Sequence, residues 1–242
     1  MDHAPSDVRQ VRVAREPWGA RHAPRASPGA RRFSLVYLAR HGQTQSNVLR
    51  RYAGYSAEPM TDFGRGQVSG LAARLGRCGL GEIWTSEVPR ARESAELVGS
   101  VLGLPVRADE RLNEMRLGPW EGMTELEVAR EYPGAWATWC TLPDRLTLEG
   151  REPLEAVSAR VAAAVRDAGQ MRRPVLLMSH VAPIRVAVLA VLGLPLRQYK
   201  RLHVGNADAV VVDRGKAEAL RLGEERSLQH EFPLSAPESS PG

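Results

Sequence analysis

Lysine is almost missing from this chain: of 33 basic residues, only Lys200 and Lys216 are not arginine. The arginines are spread along the whole length, which reads as a compositional habit and not as a stripe tracking a nucleic-acid backbone. Cysteine is equally sparse. Cys78 and Cys140 are too few for a disulfide framework and lack the CxxC spacing of a structural zinc site. A reducing, cytoplasmic setting is expected. No apolar run approaches the roughly 20 residues that a membrane-spanning helix needs, and no signal-peptide apolar segment follows the basic N-terminus. Arg31-Arg32 precedes an apolar stretch, but Leu35 to Ala39 is too short for a twin-arginine export signal.

The net charge of +5 is unevenly placed. Residues 1–32 carry seven arginines against Asp2, Asp7 and Glu16, a net of +4, which leaves the remainder close to neutral at +1. Binding of nucleic acid by the folded part is therefore not expected, and any such role would rest on the tail. Residues 1–32 and 229–242, rich in Pro, Ser, Ala and Gly, are expected to be disordered tails around one domain at 33–228.

Within that body short apolar runs alternate with helical patterns. Phe33–Ala39, Glu82–Thr85 and Val175–Met178 read as buried strands, with a weaker one at Pro105–Arg107. Val68, Leu71, Ala72 and Leu75 recur at helical spacing behind Thr61 and Asp62, as do Ala91 to Leu102 behind Pro89. Leu154 to Val165 behind Pro153 and Val186 to Ala190 behind Pro183 repeat the pattern, and Ala209–Asp213 with Ala219–Leu222 suggests a late hairpin. The alternation predicts a three-layer α/β/α fold with a mostly parallel central sheet.

Ligands in such folds bind beyond the carboxyl ends of the strands. The residues that follow the strands are Arg40 and His41, then Ser86 with Arg90 one turn on, then Glu114, then Ser179 and His180. Two guanidinium groups offer forked donors for phosphate oxygens. An imidazole kept neutral by nearby cations retains a lone pair that can attack phosphorus. A carboxylic acid can protonate the leaving alkoxide and then deprotonate water. The same arginines would repel a divalent cation, so no metal is expected; no other cofactor is expected either.

Arg40-His41-Gly42-Gln43-Thr44 with Asn47 resembles the signature of the histidine phosphatase superfamily, in its phosphoglycerate mutase-like branch. Pro59-Met60-Thr61-Asp62-Phe63-Gly64, the Ser86 to Ala95 segment, Leu112-Asn113-Glu114 with Gly118 to Gly122, and Met178-Ser179-His180 extend the resemblance over about residues 33–213. It implies that His41 becomes phosphohistidine and that Glu114 is general acid and then base. It also implies that Arg40, Asn47, Arg90 and His180 hold the phosphoryl group, without metal. Tyr52-Ala53-Gly54 and Leu112 to Met115 are most similar to the alpha-ribazole phosphatase branch. That implies hydrolysis of alpha-ribazole 5′-phosphate or adenosylcobalamin 5′-phosphate in cobalamin biosynthesis. Long insertions between Trp120 and Glu152 are missing, which favours hydrolysis over a mutase reaction. Tyr52, Tyr55, Trp120, Trp136 and Trp139 are candidates to stack on the base. Two departures bear on substrate: Val181 replaces the usual glycine after the second histidine, and Glu149-Gly150-Arg151-Glu152-Pro153 replaces a Gly-Gly-Glu-Ser element. The alternatives are a phosphatase or minor mutase for another small phosphorylated metabolite, and a catalytically silent binding module. A homodimer is left open.

Overall fold

Residues alternate cleanly along the first strand: Val36 and Leu38 enter one apolar core, Tyr37 and Ala39 the other. That two-sided burial is why the run reads as apolar without a polar face. The computed structural model describes residues 35–223 and 228–232; the expected tail at 1–32 and residues 233–242 lie outside them.

Six strands, β1 (Val36–Arg40), β2 (Glu82–Thr85), β3 (Val106–Ala108), β4 (Val175–Ser179), β5 (Ala209–Asp213) and β6 (Glu218–Arg221), form one sheet in the order β3-β2-β4-β1-β5-β6. The first four pair in parallel, while β5 and β6 add an antiparallel edge as the late hairpin. Seven helices occur among the described residues: α1 (Gln45–Val48), α2 (Asp62–Leu75), α3 (Pro89–Leu102), α4 (Glu125–Glu131), α5 (Pro133–Thr141), α6 (Leu154–Ala168) and α7 (Val181–Leu192). Helices α2 and α3 cover one face through Val68, Leu71, Ala91 and Val98; α6 and α7 cover the other through Val157, Val161, Ile184 and Val188. The arrangement is the expected three-layer α/β/α sandwich. Each fully buried Val, Leu or Ile side chain among these contributes about 1.5–3 kcal/mol.

Local chemistry explains most boundaries. Thr61 caps α2 by accepting from the Gly64 amide at 3.0 Å, Pro89 opens α3, and Gly103 closes it at φ +65°. Where expectation and structure differ, the causes are visible. The first strand begins at Val36, since Leu35 stands outside it and residues 33 and 34 lie outside the described range, and it runs on to Arg40. Strand β3 starts after Pro105, which has no N–H to give the ladder. Helix α7 starts at Val181, so Pro183 sits within its first turn, where no helical N–H is required. The connection from 115 to 150, which the apolar spacing leaves without an assigned element, holds α4 and α5; Thr124 and Glu127 make a reciprocal cap on α4. Packed chain also continues past 228, because Leu228 and Phe232 bury in the core.

One register positions the site. Arg40 lies opposite Ser179 in the parallel β1–β4 pair, so the following residues, His41 and His180, leave the same sheet edge side by side. The His41 amide then donates to the Ser179 carbonyl at 3.1 Å, and the Ser86 amide at the end of β2 to the Met178 carbonyl at 3.0 Å.

Candidate active site

His41 is buried, and both ring nitrogens are spoken for. Nδ1 lies 2.7 Å from the Gly42 carbonyl oxygen, an acceptor, so it carries the proton. Nε2 lies 3.1 Å from Nε of Arg90, which can only donate, so it carries a lone pair. Burial, then Arg90 and Arg40, hold the imidazole pKa well below its ordinary value of 6.5. The Arg-His-Gly glycine is needed for contact: a Cβ on Gly42 would lie 2.5 Å from the Gly64 carbonyl oxygen and 2.6 Å from Sδ of Met60.

Arg90 is the more deeply fixed guanidinium. Its Nη2 donates to the carbonyls of Ala53 and Gly54 at 2.8 and 2.9 Å, which explains how the Tyr52-Ala53-Gly54 segment meets the site. Arg40 donates through Nη1 to the Val204 carbonyl at 2.8 Å, while its buried Nε has no protein partner. Burial pushes its pKa down to about 10, which still leaves it cationic at neutral pH. Asn47 is aimed through its own helix cap: Oδ1 accepts from the Thr44 amide at 3.1 Å and from Nδ2 of Asn206 at 2.8 Å. The Asn47 amide nitrogen remains as a donor at the cleft. His180, fully buried, has its ring centroid 5.1 Å from that of His41.

Glu114 stands across the cleft. Burial raises its carboxyl pKa above the ordinary 4.5, opposed by the Met115 amide and by the arginines. Its loop is held by Arg160 of α6, which donates to the carbonyls of Arg111, Asn113 and Glu114 at 2.8, 2.7 and 3.2 Å. The same guanidinium forks onto both oxygens of Glu152 at 2.7 and 2.9 Å. Arg160, Asn206, Ser86 and Asn113 were not nominated by the sequence as site residues, although Ser86 directly follows a strand and both Ser86 and Asn113 fall within the family-like segments.

Arg40, His41, Asn47, Arg90 and Glu114 line a cleft of about 240 Å³, while His180, fully buried beside His41, is not among its lining residues. The cleft continues into a shallower hollow of about 780 Å³ that shares Arg40, Asn47, Tyr52 and Glu125. Of the five aromatic candidates, Tyr52 and Trp139 line the cleft, joined by Tyr199, which the sequence did not nominate. Trp120 is fully buried behind them against Tyr52, and Tyr55 faces a separate hollow with Arg116. Val181 contributes its side chain to the cleft wall and, as the first residue of a helix, needs no glycine-like backbone. Among the described residues no three His, Cys, Asp or Glu side chains cluster as a metal site would require.

The profile of the histidine phosphatase superfamily (branch 1) matches residues 36–223. The chain is a histidine phosphatase superfamily member. A probable phosphoglycerate mutase GpmB from Escherichia coli O1:K1 is 34% identical over 185 residues, covering 74% of this chain and 84% of that one. Among solved structures, a mycobacterial glucosyl-3-phosphoglycerate phosphatase is 31% identical with a TM-score of 0.67, covering 74% and 90% of the two chains. The alpha-ribazole phosphatase of Shigella flexneri is 26% identical with a TM-score of 0.68, covering 77% and 94%. The histidine phosphatase fold and a phosphatase activity follow from this kinship together with the site.

Proposed function

We propose that this histidine phosphatase is a metal-independent phosphomonoesterase, acting in the cytoplasm on a small phosphorylated metabolite through phosphohistidine at His41. One observation carries the reading: the unprotonated Nε2 of His41, with its proton parked at Nδ1 on the Gly42 carbonyl. Arg40, Arg90, Asn47 and His180 hold the phosphoryl oxygens. Nε2 attacks phosphorus in line, the P–O bond breaks, and the carboxyl of Glu114 gives its proton to the departing alkoxide. The resulting carboxylate takes a proton from water as its oxygen attacks phosphorus, the P–N bond breaks, and inorganic phosphate leaves. The fixed guanidinium groups supply the charge stabilisation that magnesium supplies in other phosphoryl transfers.

For the alcohol, the reading is alpha-ribazole 5′-phosphate or adenosylcobalamin 5′-phosphate in cobalamin biosynthesis. It is supported by the aromatic wall of Tyr52 and Trp139 and by likeness to the Shigella enzyme. A second reading, an alcohol bearing its own carboxylate, is favoured by a specific feature. Arg185 and Lys200 line the cleft with no carboxylate partner among the described residues. Behind them lies Arg151, whose guanidinium sits over the Trp139 ring at 4.3 Å with none of its nitrogens hydrogen-bonded.

The test is phosphate release in EDTA from alpha-ribazole 5′-phosphate, 3-phosphoglycerate, phosphoserine and p-nitrophenyl phosphate, with His41→Ala as control. Selectivity for alpha-ribazole phosphate supports the first alcohol, and selectivity for the carboxylated pair supports the second. Conversion of 3-phosphoglycerate to its 2-isomer would make the enzyme a mutase. Absence of His41-dependent turnover on all four overturns the enzymatic reading in favour of a binding module.

A further inference from the structure

The second histidine of the site presents an anomaly. His180 is fully buried, yet its Nδ1 has no hydrogen-bond partner. Its other nitrogen, Nε2, lies 2.8 Å from Oγ of Ser86. Which atom owns the proton in that contact follows from the neighbours of Ser86.

Asn113 cannot be flipped. Its Oδ1 accepts from the Glu87 amide at 2.8 Å, and its Nδ2 donates to the Glu87 carboxylate at 3.2 Å. Oδ1 therefore also accepts the hydroxyl of Ser86, at 2.9 Å. A serine has one proton, and here Asn113 takes it. The Val88 amide donates to the same Oγ at 3.1 Å, so Oγ is an acceptor on its remaining sides. The proton shared with His180 must then sit on Nε2 of the imidazole. In the neutral ring, Nδ1 is a bare lone pair.

A lone pair cannot hold a phosphoryl oxygen of a dianion. We infer that Ser86 and Asn113 are positioning residues that fix His180 as its Nε2–H tautomer, so that His180 binds the phosphoryl group only with an additional proton on Nδ1. The charges around His180 agree with a proton that arrives with the ligand. Arg90 on α3, Arg40 and His41 at the end of β1, and Arg160 on α6 all oppose a cation there, and burial opposes it more. A phosphate dianion between these groups reverses that balance. The cycle is neutral overall: one proton is taken from solvent on binding, stays on Nδ1 through both transfers, and returns when phosphate departs.

The inference rests on the phosphoryl group binding where the previous subsection puts it, and the experiment separates the two. Long-range ¹H–¹⁵N NMR on the full chain labelled at its six histidines distinguishes the tautomers, with His180→Gln assigning the signal. The free enzyme is expected to show His180 as Nε2–H with an unprotonated Nδ1. Saturating inorganic phosphate at pH 8 should convert it to the doubly protonated ring. Calorimetry in two buffers of different ionisation enthalpy should give uptake of about one proton per phosphate. Ser86→Ala, which frees Nε2, should lower that uptake toward zero and give an Nδ1–H signal, while Ser86→Thr retains the hydroxyl and the wild-type pattern. An Nδ1–H tautomer in the free wild-type enzyme overturns the inference, as does phosphate binding without proton uptake. Absence of phosphate binding overturns the site reading itself.

Discussion

Replacing Arg160 by methionine tests whether catalysis depends on the way the acid loop is clamped. The guanidinium makes five hydrogen bonds, two to the Glu152 carboxylate and three to the carbonyls of Arg111, Asn113 and Glu114. Methionine keeps the length and apolar packing but leaves a carboxylate and three carbonyls without donors. Removing one partner of a buried ion pair costs about 3–5 kcal/mol. The Arg160 and Glu152 side chains remain 19% and 17% exposed, so water recovers part of that loss, and about 2–3 kcal/mol is expected. For a domain of this size the melting temperature should fall by about 4–12 °C. Activity should suffer beyond stability, because a displacement of about 1 Å at the acid costs about 100-fold. The informative assay compares leaving groups at a temperature where the variant is folded. Phosphoserine, whose alkoxide needs a proton, should lose about 100-fold in the phosphoryl-transfer step. The burst of p-nitrophenol, a leaving group that departs without one, should stay near the wild-type rate. Equal losses on both substrates, or none, would refute the view that Arg160 acts through Glu114.

Two further perturbations test the nucleophile. The rate of phosphoryl transfer from phosphoserine should be bell-shaped in pH, rising as His41 loses its proton well below 6.5 and falling as Glu114 ionises above 4.5; an acid limb centred at 6.5 would contradict the environment described for His41. Gly42→Ala should cost about 1–3 kcal/mol, because the new Cβ meets backbone at 2.5 Å and the adjoining His41 must shift. A wild-type melting temperature and kcat in that variant would show that the close approach to Gly64 is dispensable.

Much of the architecture was legible because its determinants are local. Val68, Leu71, Ala72 and Leu75 declare a buried face by spacing alone, and all four are buried in α2. Glu82–Thr85 has the bounds expected of it, since an isoleucine and a tryptophan between polar residues suit a covered strand. The segment from 115 to 150 was less legible. Its two helices are short, and α5 is so evenly apolar around its circumference and so small that no period emerges; Trp139 is its only buried residue. Among the aromatics, Trp120 and Trp139 are indistinguishable in sequence, yet one sits wholly in the core and the other at the cleft.

By itself, the sequence determined the alternation of strands and helices, the polar residues that end each strand, and the family. Periodicity, turn chemistry and motif spacing act within a few residues of chain. Only the tertiary structure decided which strand ends meet. Placing β4 between β1 and β2 sets His180 beside both His41 and Ser86, although 139 and 94 residues separate them in sequence. It likewise decided the protonation of each ring, because a tautomer is fixed by whichever donor or acceptor lies across the hydrogen bond. For His41 and His180 those partners, Arg90 and Ser86, arrive from other elements of the fold.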